Sequence, residues 1–160
     1  MIYTYNSNMK KLNIGTLLFD VFTPLILGSI LGILVKDDFS YLETLNRNIV
    51  VPPVVFIIVW SILYLLMGIW YYLYEKNENK DYIKNLYWIS LFVNLMFTPT
   101  LFLLKNIYLA LINVIILLGL IIYIFINGIK NKQKYSYLLL PYIIWLFVAL
   151  TIMIDLVSLN

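Results

Sequence analysis

Charged residues are absent from four long stretches of this chain, Ile49–Tyr74, Asn85–Leu104, Asn106–Ile129 and Tyr135–Ile154. A fifth stretch, Leu12–Val35, carries a single charge, Asp20. Each stretch holds 20 to 26 residues, and about 20 apolar residues in an α-helix cross the ~30 Å hydrocarbon core of a bilayer. Runs this rich in Ile, Val and Tyr raise strands as the alternative. A membrane-barrel strand, however, is ~9–11 residues of alternating polarity, whereas these runs are continuously apolar. The pattern therefore predicts an all-α membrane protein: one domain over residues 1–160, a bundle of five transmembrane helices at about 12–35, 53–74, 85–104, 107–129 and 137–156. Residues 1–11 form a polar start ending in Lys10-Lys11. A signal peptide has a core of ~7–15 apolar residues that ends in small residues. The first run is longer, carries Asp20 and lacks such an ending, so a retained helix is expected. The connectors are 36–48, 75–84, a tight turn at Lys105-Asn106, and 130–134; only the first is long enough for a role of its own.

Composition narrows the chemistry. The chain is 63% hydrophobic and 12% charged, against ~25% charged in soluble domains. It has no Cys and no His, which excludes disulfides, thiolate nucleophiles, zinc ribbons, Ser-His-Asp catalysis and the commonest haem ligand; no metal site is expected. The six Gly form no phosphate-cradling loop, and the net charge of +3 is not gathered into a basic face, so no nucleic acid is expected as partner. Lys and Arg counts set orientation. Lys10, Lys11, Lys76, Lys80, Lys84, Lys130, Lys132 and Lys134 share one face, against Lys36, Arg47 and Lys105 on the other. That places the N-terminus in the cytoplasm and the 36–48 loop outside. Abundant Ile, Asn, Lys and Tyr suggest an AT-rich genome, hence a bacterial plasma membrane.

Polar residues inside membrane helices are costly and tend to face the bundle interior. Asp20, Asn94 and Asn113 are the clear cases, whereas Asp155 lies near enough to a helix end to reach water. Asp20 and Asn113 each read either as a structural hydrogen bond to a neighbouring helix or as a ligand or proton site. At 1.5 Å per residue, Trp60 and Trp145 lie ~10 Å deep and Asn94 ~15 Å deep. Trp70 and Trp88 fit the interfacial belt; Trp60 and Trp145 are further in, as core packing or as walls for a ligand. Pro24, Pro99 and Pro141 lie within runs and are expected to kink their helices. Gly28-Ser29-x-x-Gly32 is a small-residue face suited to a dimer or to an internal contact.

Three motifs carry a family resemblance. Trp60-Ser61-Ile62-Leu63-Tyr64-Leu65-Leu66-Met67-Gly68, preceded by Pro52-Pro53, resembles the second-helix signature of the tryptophan-rich sensory protein/translocator protein family (TspO/MBR, the peripheral benzodiazepine receptor group). Asn94-x-x-Phe97-Thr98-Pro99-x-x-Phe102 resembles its third-helix pattern, and Pro141-Tyr142-x-x-Trp145-x-x-x-Ala149 its fifth. The resemblance implies a five-helix bundle, usually dimeric, with a pocket closed by the loop after the first helix, here 36–51. It implies a porphyrin or haem-type tetrapyrrole as ligand, with no cofactor required. Some family members bind sterols, and some bacterial members promote light-dependent porphyrin breakdown. By motif, Trp60, Asn94 and Trp145 become pocket walls, and Pro52 and Pro53 join the ligand-binding residues by shaping the loop-to-helix entry. Tyr64 and Phe97 join them as aromatic surface. Arg47, the only arginine, lies in the covering loop and suits a propionate; the alternative is a solvated charge or a lipid-headgroup contact.

The chain departs from the family pattern in places. Arg47-Asn48 replaces a common Lys-Pro, and Pro52-Pro53 sits one residue closer to Trp60 than is usual. Ser90 and Asn113 stand where Gln and an acidic residue are frequent. Met153–Ser158 contains neither Tyr nor a basic residue, which argues against a sterol role. Three readings follow: a membrane sensor, receptor or carrier of tetrapyrroles; a light- and oxygen-dependent porphyrin-degrading enzyme using Trp60 and Trp145; and a membrane scaffold without a dedicated ligand. Binding is the least the residues support and is the primary expectation.

Overall fold

The computed structural model describes residues 13–78 and 80–160. The expected Lys10-Lys11 anchor and the first residue of the expected first helix lie outside the described residues. Five α-helices follow one another: α1 (Ile14–Leu34), α2 (Pro53–Asn77), α3 (Asp81–Phe102), α4 (Ile107–Lys130) and α5 (Leu140–Leu159). Two 3-10 stretches, Lys36–Thr44 and Lys134–Leu139, fill what the sequence suggests are plain connectors.

Capping chemistry sets the boundaries. The Asn13 side chain accepts from the Gly15 and Thr16 amides, and that of Asn106 from the Leu109 amide, so orphan donors at two helix starts are satisfied without water. The turn before α4 is tight because Lys105 takes φ 50°. Helix α2 runs one turn past its expected end, and α3 begins four residues early at Asp81, because polar residues outside a membrane can extend a helix that is already nucleated. Pro141 does not kink α5. It lies in the first turn, where the missing N–H has no intrahelical partner to lose. Pro24 and Pro99 are inside their helices, the latter in the last turn of α3.

Helices α1, α2, α4 and α5, the last with its 3-10 turn, are long and apolar enough to cross a membrane. Helix α3 has the length, with 22 residues, but Asn85, Asn94, Thr98, Pro99 and Thr100 dilute its apolar character. The packing runs α2–α1–α3–α4–α5. Helix α1 is the most peripheral: its buried residues are only Asp20, Val21 and Pro24, and it exposes nine large hydrophobics, from Ile14 to Leu34. Two glycines bring it close to α2. A Cβ at Gly68 would overlap the Asp20 carbonyl oxygen, and one at Gly28 would overlap the Tyr64 ring. The Gly28 end of the small-residue face is therefore an internal contact, while Gly32 meets nothing within 4 Å.

Two cores divide the bundle. One end is aromatic: Trp70 stacks on Tyr74 at 5.3 Å, Tyr71 stacks on Tyr87 at 4.3 Å, and the Lys134–Leu139 stretch closes it with Leu139. Trp70 is only 1% exposed, so it is a core residue and not the belt residue that its position in the sequence suggests. Trp88, 39% exposed, does lie at the surface. The other end gathers Val35, Phe102, Ile107, Val114, Ala149 and Met153 beneath the Lys36–Thr44 stretch. That stretch is fastened by Phe39 against Phe102 at 4.6 Å and by the Tyr41 hydroxyl, which donates to the Lys105 carbonyl at 2.9 Å.

If Gly68 sets the α1–α2 approach, Gly68→Ala destabilises the protein by about 1–3 kcal/mol through overpacking. Gly119→Ala, where nothing lies within 4 Å, should be neutral or stabilising by up to about 1 kcal/mol. Fluorescence-monitored unfolding in mixed detergent micelles checks the pair, and equal stabilities would refute the close approach.

Candidate functional site

Helix α2 presents Phe56, Trp60 and Tyr64 at four-residue spacing, which aligns them on one face. Helix α5 answers with Tyr142 and Trp145. The Trp60 ring lies 5.5 Å from Tyr64 and 6.0 Å from Tyr142, and Trp145 meets Phe56 edge-on at 5.7 Å. The two helices thus meet through aromatic side chains, without a run of close backbone contacts. Trp60 and Trp145 are half-buried, and the Trp145 indole N–H is buried with no hydrogen-bond partner among the described residues.

A polar knot lies beneath this seam. The Tyr64 hydroxyl donates to Asn94 Oδ1 at 2.8 Å, and Asn94 Nδ2 donates to the Tyr142 hydroxyl. Asn94 is 2% exposed and Tyr142 fully buried. One side chain from each of α2, α3 and α5 therefore converges where bulk water cannot compete, and Gly28 of α1 provides the notch in which the Tyr64 ring sits.

The loop after α1 covers the seam's end. Leu42, Arg47, Ile49 and Val51 join Phe56 and Leu156 around a cavity of about 30 Å³, which is room for one water. Asp155 of α5 and Asn160, the residue that follows the helix, hold this loop. The Asp155 carboxylate accepts from the Asn48 amide at 2.8 Å, the Asn48 side chain at 3.1 Å and the Ile49 amide at 3.0 Å. Asn160 accepts from the Asn46 amide at 3.0 Å and donates to the Asn46 carbonyl at 2.9 Å. Asp155 is thus a loop clamp, where its sequence position suggests only a carboxylate at the water's edge.

Of the residues singled out in the sequence, Trp60, Tyr64, Asn94 and Trp145 come together at the seam, with Arg47 at the covered end. Phe97 packs into the core under the loop. Pro52 and Pro53 are exposed; they set the start of α2 and do not line the cavity. Asp20 is buried in α1 with Oδ2 lacking a partner among the described residues, in the region of Tyr71, Glu75 and Tyr87 and away from the seam. Asn113 donates to the Val93 carbonyl at 2.9 Å, a helix-to-helix bond. Ser90 is buried and donates to the Tyr87 carbonyl at 2.7 Å. Sequence reasoning missed Phe56, Tyr142, Asp155 and Asn160. The four-residue spacing from Phe56 to Tyr64 could have revealed the first. The loop partners of Asp155 and Asn160 are more than 100 residues away, and nothing local announces them.

Two substitutions separate the knot from the clamp. Asn94→Leu leaves two buried hydroxyls unpaired and should cost about 1–3 kcal/mol in the same unfolding measurement. Asp155→Ala should leave that stability nearly unchanged while speeding amide exchange at Asn48 and Ile49 at least tenfold. Unchanged exchange there would remove the clamp.

The motif residues now stand in a common site, and comparison with known proteins bears on what the site belongs to. No curated protein sequence matches the chain. The family model described as TspO/MBR family matches residues 21–158, a span that includes Arg47, Trp60, Asn94, Trp145 and Asp155 and excludes Asp20 and Asn160. With four helices long and apolar enough to cross a membrane and that match over nearly its whole length, the chain is a multi-pass membrane protein and belongs to the TspO/MBR family.

Proposed function

We propose that this protein binds a tetrapyrrole, a porphyrin or haem-type ring, in the seam between α2 and α5, and acts as its membrane sensor, receptor or carrier. Family membership supports membrane sensing and ligand binding in general. The observation that carries the finer reading is the pairing of Trp60 and Trp145 on facing helices above the Tyr64–Asn94–Tyr142 knot. Flat aromatic walls with one oriented amide suit a flat apolar ring. Arg47, at the covered end, suits a propionate through a charge-assisted bond. The chain lacks His and Cys, which leaves iron only Tyr or Met, and the Tyr64 and Tyr142 hydroxyls are taken by Asn94, so stacking and not the metal is expected to hold the ring.

Ligand pockets of this class measure ~300–1,000 Å³, so a cavity of about 30 Å³ must widen. The α2–α5 seam can do so, because bulky side chains, and not interlocked backbones, fill it. In this reading α3 crosses the membrane as the fifth span, with Ser90 and Asn94 turned inward, and the N-terminus is cytoplasmic in a bacterial plasma membrane. A homodimer has Ser29 and Gly32 available on α1, since Gly28 is occupied by Tyr64.

A second reading, light- and oxygen-dependent breakdown of the bound ring, is favoured by Trp60 lying beside two tyrosines. An electron withdrawn from that indole can be replaced by a neighbouring phenol.

Protoporphyrin IX titrated in darkness into the purified protein should shift the porphyrin absorbance and quench tryptophan saturably. The Trp60→Phe, Trp145→Phe double variant should weaken binding at least tenfold. Arg47→Gln should weaken it about three- to tenfold, with no effect on the dimethyl ester. Signals equal to those of empty micelles would sink the reading. Illumination then tests breakdown by the appearance of a new absorbing product.

A further inference from the structure

Along the outer face of α4 the side chains change character in a fixed order. Ile112, Ile116, Tyr123, Asn127, Lys130 and Asn131 fall on one face at helical spacing. The two isoleucines and Tyr123 are exposed, as are Lys130 and Asn131 at the foot of the helix. The stripe thus runs from aliphatic through phenol and amide to ammonium. Tyr123 precedes Lys130, the last residue of α4, by seven positions, ~10 Å along the axis.

Its polar part is a surface network shared with α3. The hydroxyls of Tyr82, the second residue of α3, and Tyr123 share one hydrogen bond. Asn127 Nδ2 donates to the Tyr82 hydroxyl at 3.3 Å, and Asn131 Nδ2 donates to Asn127 Oδ1 at 3.0 Å. The two phenols spend one hydrogen on each other, so the second has no acceptor among the described residues. Both side chains are exposed, so that donor is within reach of a molecule outside the bundle.

Charge singles out the same place. Lys130, Lys132 and Lys134 are all exposed, and no acidic residue lies between Asp81 and Asp155 in the chain. At the same end of the bundle, Lys76, Lys80 and Lys84 stand among Glu75, Glu78 and Asp81. Lys84 pairs with Asp81 at 2.9 Å, the one ion pair among the described residues. Glu78 lies near Tyr135 but pairs with none of the three lysines that follow α4. The positive surplus of these two connectors therefore sits on the second, where the stripe ends.

We propose that this face of α3 and α4 binds one anionic phospholipid. Its acyl chain lies along Ile112 and Ile116, an ester carbonyl accepts from the Tyr82–Tyr123 pair, and its phosphate meets Lys130, with Lys132 and Lys134 adding charge. A phospholipid carries hydrocarbon, ester acceptors and phosphate in the order in which the stripe offers their complements. A choline head would bring an ammonium among three lysines, whereas a phosphatidylglycerol head brings none. Each basic residue at a membrane surface strengthens attraction to anionic lipid about fivefold. The site is separate from the α2–α5 seam and does not depend on the tetrapyrrole reading.

The test is native mass spectrometry of the full chain in detergent, titrated with dioleoyl phosphatidylglycerol or with dioleoyl phosphatidylcholine, whose chains are identical. One phosphatidylglycerol per monomer should be retained, at about ten- to thirty-fold lower concentration than phosphatidylcholine. The Lys130→Gln, Lys132→Gln pair should remove most of that preference, while Lys76→Gln, Lys80→Gln leaves it intact. Tyr82→Phe, Tyr123→Phe should weaken phosphatidylglycerol at least threefold. All of these side chains except Lys76 are exposed, so the variants should fold. Equal retention of the two lipids would overturn the assignment, as would equal losses in the two lysine pairs, the mark of diffuse attraction. Unchanged affinity in the tyrosine variant would overturn it too. So would displacement of the lipid by an equal concentration of glycerol phosphate, the mark of a phosphate site, or retention by dimers alone, which would put the lipid between two copies.

Discussion

Asn94 is the constraint around which the bundle is arranged. In a bilayer the hydrophobic effect gives helices no reason to prefer one another over lipid, so packing and hydrogen bonds must choose the partners. Most neighbours here choose by packing: α1 on α2 through glycine, α3 on α4, α4 on α5. Helices α2 and α5 do not, for their backbones stay apart. Asn94 bridges that gap from a third helix, accepting a hydrogen bond from Tyr64 and donating one to Tyr142. The rotation of α2 and α5 about their axes is set by those two hydroxyls, and with it the facing of Trp60 and Trp145. An apolar residue at 94 would leave the two aromatic faces free to turn.

Much of this was legible in the chain. The five runs mark the five helices because lipid makes an uninterrupted apolar stretch obligatory, and Asn94 stands out because a polar side chain in such a stretch is costly. Boundaries were less legible: α3 starts at Asp81 because hydropathy marks where lipid begins, not where helical hydrogen bonds do. Trp70 was misplaced for a related reason. Distance from a helix end suggests a belt residue, but whether an indole faces lipid or core depends on helix rotation, which stacking on Tyr74 and Tyr87 decides. The loop clamp was not legible at all. Asp155 and Asn160 find partners across the whole length of the chain, and their meaning exists only once α5 stands beside the loop.

The covering loop shows how the two ends of the molecule differ. Tyr41 and Phe39 hold it to the α3–α4 turn, and Asp155 and Asn160 hold it to α5. Between the clamp and α2 there remain only Val50, Val51 and the exposed Pro52, with Pro53 already the first residue of the helix. The loop therefore belongs mechanically to α3, α4 and α5, and α2 hangs from it by a short, stiff link.

That division decides how a ring could enter. Helices α1 and α2 form one unit, locked by the Gly68 approach and the Gly28 notch, and α3, α4 and α5 with the loop form the other. At the end opposite the loop the units are bound tightly: Trp70, Tyr74 and Tyr87 stack across them, and the Lys134–Leu139 stretch packs on α2. At the loop end the seam contains Phe56 against Trp145 and a cavity with room for one water. A widening of the seam thus pivots at the aromatic end and is greatest at the loop, beside Arg47. The knot at Asn94 lies between pivot and mouth, so it limits how far the seam opens before hydrogen bonds must break. On the proposed reading, a flat ring entering from the mouth would exchange aromatic contacts for aromatic contacts and stop where Asn94 begins, which would make the fastener of the fold the floor of the site as well.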